Sequence, residues 1–231
     1  MVSVSSSREE PMMFHDRQDA GQQLAERLHL YRGKNDAVVI GLPRGGVVVA
    51  AETAKALHLP LDIIVPRKIG AEHNPEYAIG AITETGQAIW NEIERRDTHP
   101  EYLVRQVAEA QAEAKRRLDL YRKNRQPRDL KNKTVILIDD GVATGLTMLA
   151  AVETAQKEGA KHLVIAVPIA AADAIPTLVG KSDEIVILYT SKFFGAIGEF
   201  YEQFDQTSDE EVIRLLMSLR GVRQLADDEA I

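Results

Sequence analysis

Apolar residues along the chain fall into two kinds of pattern. Ala37 to Ile40, Leu61 to Val65, Thr134 to Ile138, Leu163 to Val167 and Ile185 to Leu188 are short, almost continuous apolar runs. Runs of this kind predict strands buried on both faces, as in a parallel sheet. Between them the period lengthens. Phe14, Ala20, Leu24, Leu28 and Tyr31 approximate one face of a helix that Gly33 and Asn35 end. Val47 to Leu57, Leu146 to Lys157 and Ala171 to Leu178 also read as helices. The longest helical pattern, Glu101 to Lys123, puts Leu103, Val107, Ala110, Ala114, Leu118 and Tyr121 on one stripe. Glu101 with Arg105, and Glu113 with Arg117, have the i,i+4 spacing that supports a helix, and Pro127 breaks the pattern. Arg67 to Tyr77 reads as a polar loop, Ala78 to Thr83 as a strand, and Ala88 to Trp90 as its short antiparallel partner. Ser208 and Glu211 form a capping box for a last helix through Leu219. Strands alternating with helices predict a doubly wound, mainly parallel α/β sheet, with the long helix inserted and a small C-terminal lobe added.

The 231 residues suit one domain of this kind. We expect a Ser-rich disordered tail over residues 1–11, a single domain over 12–220 and a frayed tail over 221–231. Within the domain, 91–128 is the helical insertion and 191–220 the C-terminal lobe. A 45% hydrophobic and 27% charged composition is that of a globular chain able to bury a core. The net charge of −7 argues against a general nucleic-acid surface. The basic residues Lys115, Arg116, Arg117, Arg122, Lys123, Arg125 and Arg128 read as complements to a helix C-terminus. No apolar run approaches the roughly 20 residues of a membrane span, and the N-terminus lacks a signal-peptide apolar region, so a cytoplasmic location is expected. The absence of Cys excludes disulfides, Cys-ligated zinc, iron–sulfur clusters and thiol nucleophiles. His15, His73 and His99 are widely spaced, without metal-ligand spacing, and read as surface residues; His73 lies in a loop that could close over the site.

Chemistry concentrates after the strand at 134–138. Asp139-Asp140 stands at its C-terminal end, where open α/β sheets bind ligands. Gly141-Val142-Ala143-Thr144-Gly145-Leu146-Thr147 then leads into a helix. Such a loop offers backbone N–H groups and two hydroxyls to a phosphate, and the helix dipole assists. Two acids beside a phosphate cradle suit a sugar phosphate. A bare strand-end cap is the plainer reading, but paired acids on a buried strand are costly without a role. Leu42-Pro43-Arg44-Gly45-Gly46 is a second anion-type turn before a helix. Its spacing is not that of a G-x-G-x-x-G dinucleotide turn. Arg67-Lys68, after Pro66, places two cations at another strand end, suited to a departing anion. Phe193, Phe194, Tyr201 and Phe204 either stack on a ligand base or form a small core; the core reading is favoured.

The segment Val135 to Thr147 resembles the phosphoribosyl-pyrophosphate (PRPP) signature of type I phosphoribosyltransferases: apolar strand, two acids, small residues, Thr-Gly-x-Thr. Phe14-x-Asp16-Arg17 and the Phe194 to Phe204 region are similar to a bacterial group of the family whose acceptors are undefined. The resemblance implies the family's sheet, with Asp139 and Asp140 on the ribose hydroxyls and Ala143 to Thr147 on the 5′-phosphate. It implies a pyrophosphate loop at Arg44, Gly45 and Gly46, and a leaving-group role for Arg67 and Lys68, a pair similar to that of adenine phosphoribosyltransferases. A variable hood holding the acceptor base would lie in residues 14–31 or in the aromatic stretch. The implied reaction displaces pyrophosphate from PRPP by a small nitrogen acceptor, with Mg²⁺ reached by Asp139 and Asp140 through water, in nucleotide metabolism. Family members acting on 6-oxopurines carry an Asp where this chain has Ala143, so a different acceptor is expected. A homodimer would be compatible, with the long helix shaping the cleft or pairing subunits. The rival reading is a non-catalytic PRPP or nucleotide sensor on the same fold.

Overall fold

A computed structural model describes residues 2–4, 14–123 and 127–219. In chain order the elements begin with β1 (Val2–Val4), α1 (Arg17–Arg27), β2 (Ala37–Gly41), α2 (Gly45–Leu57) and β3 (Leu61–Ile63). They continue with β4 (Arg67–Ala71), β5 (Asn74–Ile82), β6 (Ala88–Trp90), α3 (Glu92–Arg96) and α4 (Pro100–Arg122). The last are β7 (Thr134–Ile138), α5 (Leu146–Lys157), β8 (His162–Ala171), α6 (Ile175–Leu178), β9 (Glu184–Ser191) and α7 (Asp209–Ser218).

Six strands form a sheet in the order β1-β9-β8-β7-β2-β3, and every pairing in it is parallel. β2 and β7 are buried along their whole length, which is why their sequences are apolar without alternation. From β2 the chain moves outward to β3; from β7 it moves the other way, to β8 and β9. The direction of winding therefore reverses between β2 and β7. At such a switch point the loops at adjacent carboxyl ends part and leave a crevice. One face of the sheet is covered by α1, α2 and α7, with Phe14, Leu24, Val49, Ile136, Phe200, Val212 and Leu216 in one continuous core. The other face is covered by α5 and α6, through Ile40, Leu137, Met148, Val152, Ile165 and Leu178. The C-terminal segment thus packs onto the main core: the N–H of Phe14 donates to the carbonyl of Phe200 at 2.9 Å, and that of Glu202 to the carbonyl of Phe14 at 2.9 Å.

Three expectations need correction. Val2–Val4, assigned to a disordered tail, pair in parallel with Ile185–Ile187, in keeping with the strand preference of valine; the rest of both expected tails lies outside the described residues. Gly45 and Gly46 belong to the first turn of α2, not to the turn before it. Arg67 to Tyr77 is not a loop. β4 and the first part of β5 occupy it, pairing antiparallel in a three-stranded sheet with β6. Gly70, Asn74 and Pro75 disguised the hairpin, whose register shifts at Ile69, Gly70 and Ala71 let the chain bend there. Its strand state is set by packing: Ile69, Ile79 and Ile82 bury against Leu103, Val107 and Ala110 of α4, while Ala78 and Ala81 meet Leu146 and Ala150 of α5.

Candidate active site

Asp139 and Asp140 follow β7 directly, at the switch point. β7 is locked between β2 and β8, so its end has little freedom. Parallel bonding continues past the acids: the N–H of Val142 donates to the carbonyl of Ile169 at 2.9 Å, and that of Ala171 to the carbonyl of Val142 at 2.8 Å. The loop is thereby pinned to the extended end of β8. Gly145 then adopts a left-handed conformation (φ 82°) and caps α5.

The acids face the start of α2 across the crevice. A Cβ on Gly45 would lie 2.0 Å from Asp140 Oδ2, and one on Gly46 would lie 2.6 Å from Asp139 Oδ1. Only glycine permits that approach, so the two sequence motifs are parts of one surface. The peptide between Pro43 and Arg44 is cis, and Arg44 sits at the helix N-cap with its guanidinium 4.0 Å from Asp209 Oδ1.

Burial, and then the charge of Asp140, raise the Asp139 carboxyl well above the ordinary carboxylate range. The N–H of Asp140 offsets part of this by donating to Asp139 Oδ1 at 2.9 Å. Asp140 is also buried, and Arg17 Nε donates to its Oδ2 at 2.7 Å. Tyr201 Oη donates to the Asp140 carbonyl at 2.6 Å, and burial together with the nearby acid pushes that phenol up.

Two hollows meet here, of about 370 Å³ and about 460 Å³, sharing Lys68, Asp139 and Phe204 as a common wall. The smaller is lined by the Gly141–Gly145 loop, Thr147, Ala78 and the 195–198 segment. The larger is ringed by Arg17, Arg44, Arg67, Lys68 and Arg117, with Asp139 and Asp140 on its floor. All five cations therefore border one cavity beside two acids, an arrangement able to take an extended polyanion with a hydroxylated group attached.

Every residue singled out after β2, β3 and β7 borders this crevice or supports its wall: Leu146 turns inward against Ala78 and Ala81. Arg17 and Arg117 were not singled out for the site. Arg17 follows the helix cap Asp16, whose side chain accepts from the N–H groups of Gln18 and Asp19, and only the fold carries it to Asp140. Arg117 also makes the i,i+4 pair its spacing predicts, with Glu113 at 2.7 Å. Of the aromatic residues, Tyr201 is core, Phe204 lines both hollows and Phe193 stays exposed. His15, His73 and His99 are exposed. Three of the other basic positions meet carboxylates: Arg116 with Glu113 and Asp209, Arg122 with Asp62, and Arg128, beyond the helix, with Glu84 and Glu158. Arg125 lies outside the described residues.

Among the described residues no group of three or more His, Asp or Glu could cage a metal alone. Two adjacent carboxylates, one raised in pKa by burial and then by its neighbour's charge, fit a hydrated Mg²⁺ whose remaining ligands come from a substrate. No described helix is long and apolar enough to cross a membrane.

The crevice at the switch point thus joins an acid pair, a small-residue loop at a helix N-terminus and a cationic rim on a parallel α/β sheet. Comparison with known proteins gives the family. A model described as the phosphoribosyl transferase domain matches residues 13–202. The chain is 43% identical over 221 residues to a Mycobacterium tuberculosis protein provisionally named as a phosphoribosyl transferase, represented in two strains. That alignment covers 95% of this chain and 49% of the relative, so the chain spans about half the length of the curated relatives it matches. A crystal structure from Thermus thermophilus superimposes with a TM-score of 0.74 at 40% identity, covering 90% of this chain and 99% of that one. The chain belongs to the phosphoribosyl transferase family.

Proposed function

We propose that this chain transfers a 5-phosphoribosyl group from PRPP to a nitrogen acceptor with release of pyrophosphate, as a step in nucleotide metabolism. The observation that carries the reading is the contact of the Gly45-Gly46 turn with both acids, beside a hollow rimmed by five cations. Asp139 and Asp140 accept hydrogen bonds from the ribose 2′ and 3′ hydroxyls. Gly141, Val142, Ala143, Thr144, Gly145, Leu146 and Thr147 cradle the 5′-phosphate at the N-terminus of α5. Arg44, Gly45 and Gly46 hold the pyrophosphate. The acceptor nitrogen forms a bond to C1 as the C1–O bond to pyrophosphate breaks, and the electron pair leaves on the pyrophosphate oxygen. Arg67 and Lys68 stabilise that developing charge, and the acceptor releases its proton to water. Asp139 and Asp140 would hold a hydrated Mg²⁺, which would supply further neutralisation of the pyrophosphate.

The acceptor follows from what the loop lacks. Ala143 carries no group able to take or give a proton, and losing a placed acid or base costs about 10²–10⁴ in rate. Hypoxanthine and guanine are therefore expected to be poor acceptors by about that factor, leaving adenine, a pyrimidine or a small amine. The test is pyrophosphate release from PRPP and Mg²⁺ across a panel of bases and amines. Efficient hypoxanthine turnover would sink the Ala143 reasoning. PRPP binding without release on any acceptor would favour a sensor over an enzyme.

A further inference from the structure

Arg17 stands at a junction. Its side chain is 11% exposed. Nε donates to Asp140 Oδ2 at 2.7 Å and Nη1 donates to the Asp205 carbonyl at 2.8 Å. The flat of the guanidinium lies over Phe204, 3.7 Å from the ring centroid. A Cβ on Gly45 would strike Arg17 Nε at 2.7 Å as well as Asp140 Oδ2, so the chain keeps that space clear for this pair. On the main-chain side, the Tyr201 hydroxyl fixes the Asp140 carbonyl. Only a planar, forked cation makes an in-plane bond to a carboxylate while stacking on a ring, and lysine cannot do both.

We infer that Arg17 is a positioning residue: it fixes the Asp140 carboxylate, reserves one of its oxygens and leaves the other for a vicinal diol, and it ties that carboxylate to the Phe204 wall shared by both hollows. A sugar diol at Asp140 and a planar group packed on Phe204 would then act on the same side chain from its two ends. The inference rests on the PRPP reading of the crevice.

The test uses Arg17→Lys, which keeps the charge and loses the fork. Ribose 5-phosphate and pyrophosphate, each with Mg²⁺, are titrated separately by calorimetry into wild type and variant. Loss of a residue that orients a ligand-binding carboxylate typically costs about 10–100-fold, so ribose 5-phosphate should weaken by that factor. Pyrophosphate, held by Arg44, Gly45 and Gly46 and meeting Asp140 only through the hydrated Mg²⁺, should weaken far less than ribose 5-phosphate. Arg17→Lys binding ribose 5-phosphate as wild type does overturns the inference. So does an equal loss of both ligands, since that marks a general effect on fold or field. Failure of the wild type itself to bind ribose 5-phosphate would bring down the PRPP reading, and the inference with it.

Discussion

The Asp139–Thr147 segment and the β4–β5 hairpin border the same crevice, yet their structures arise differently. The first is contiguous: within nine residues after the buried strand β7 come two acids, a small-residue loop and the start of a helix. Its strand is fixed by its own apolar run, and its helix by its own periodicity. The hairpin, which carries Arg67 and Lys68, has no such autonomy. It is sandwiched between α4 and α5, and its isoleucines gain a reason to be extended only when those helices cover them. It is also latched. Arg128 bonds Glu84 just beyond β5 at 2.6 Å, the Ile63 carbonyl at 3.0 Å and Glu158 beyond α5 at 2.7 Å. Glu84 in turn accepts from the Val65 N–H at 2.7 Å. Chemistry on a locally folding segment can be read from sequence; chemistry on a segment folded by its neighbours can be seen as residues but not placed.

The latch offers the strongest way to break this contrast. Breaking a buried ion pair by removing one partner costs about 3–5 kcal/mol. Arg128→Met should lose about that much in urea denaturation, with hydrogen exchange rising first in the hairpin rather than in β7. Equal protection losses in both regions would mean the hairpin is no more dependent on its neighbours than the acid loop.

The acid loop is tested by Asp139→Asn with Asp140→Asn. A ligand at 100 times its dissociation constant stabilises by about 2.7 kcal/mol; the double variant should lose most of the melting shift that PRPP and Mg²⁺ give wild type. Asp139→Asn alone sharpens the point without ligand. Burial and Asp140 raise the Asp139 pKa in the fold, so wild type loses stability as pH rises from the unfolded carboxylate range through the folded value. The variant should therefore gain on wild type towards neutral pH and converge with it in acid. A gap independent of pH would show that Asp139 is not held in a hostile environment.

Arg67→Ala and Lys68→Ala ask whether the hairpin is chemically needed. Each should slow turnover by about 10–100-fold, some 1.4–2.8 kcal/mol of leaving-group stabilisation, while ribose 5-phosphate affinity stays close to wild type. Wild-type turnover in both, with a genuine acceptor, would remove the leaving-group role.

The smallest effect lies on the inserted helix. Glu113 is pulled down to about 2 by its bonds to Arg116 and then Arg117. A lowered pKa contributes stability that is complete above the unfolded carboxylate range and lost as pH falls through about 2. The pair is partly solvated, so Glu113→Gln should cost under about 1 kcal/mol at pH 7, with the gap closing towards pH 2. A gap that widens in acid would contradict the ion pairing.

By itself the sequence determined the parallel core, the positions of β2, β7 and α5, the acid pair with its loop, and the capping of α7 by Ser208, which accepts from the Glu211 N–H at 3.1 Å. These features depend on residues adjacent along the chain, whose propensities and periodicities agree with the fold. Tertiary structure alone decided that Gly45 and Gly46 approach the acids, that β4 and the first part of β5 are strands, and that Arg17 and Arg117 reach the crevice from helices distant in sequence. Arg17 and Asp140 stand 123 positions apart, and no local pattern traces their 2.7 Å contact. Such a contact exists only because α1 packs over α2 at the switch point, and the free energy that brings them together is the burial of apolar surface, which is non-directional and leaves no pairing code in the chain.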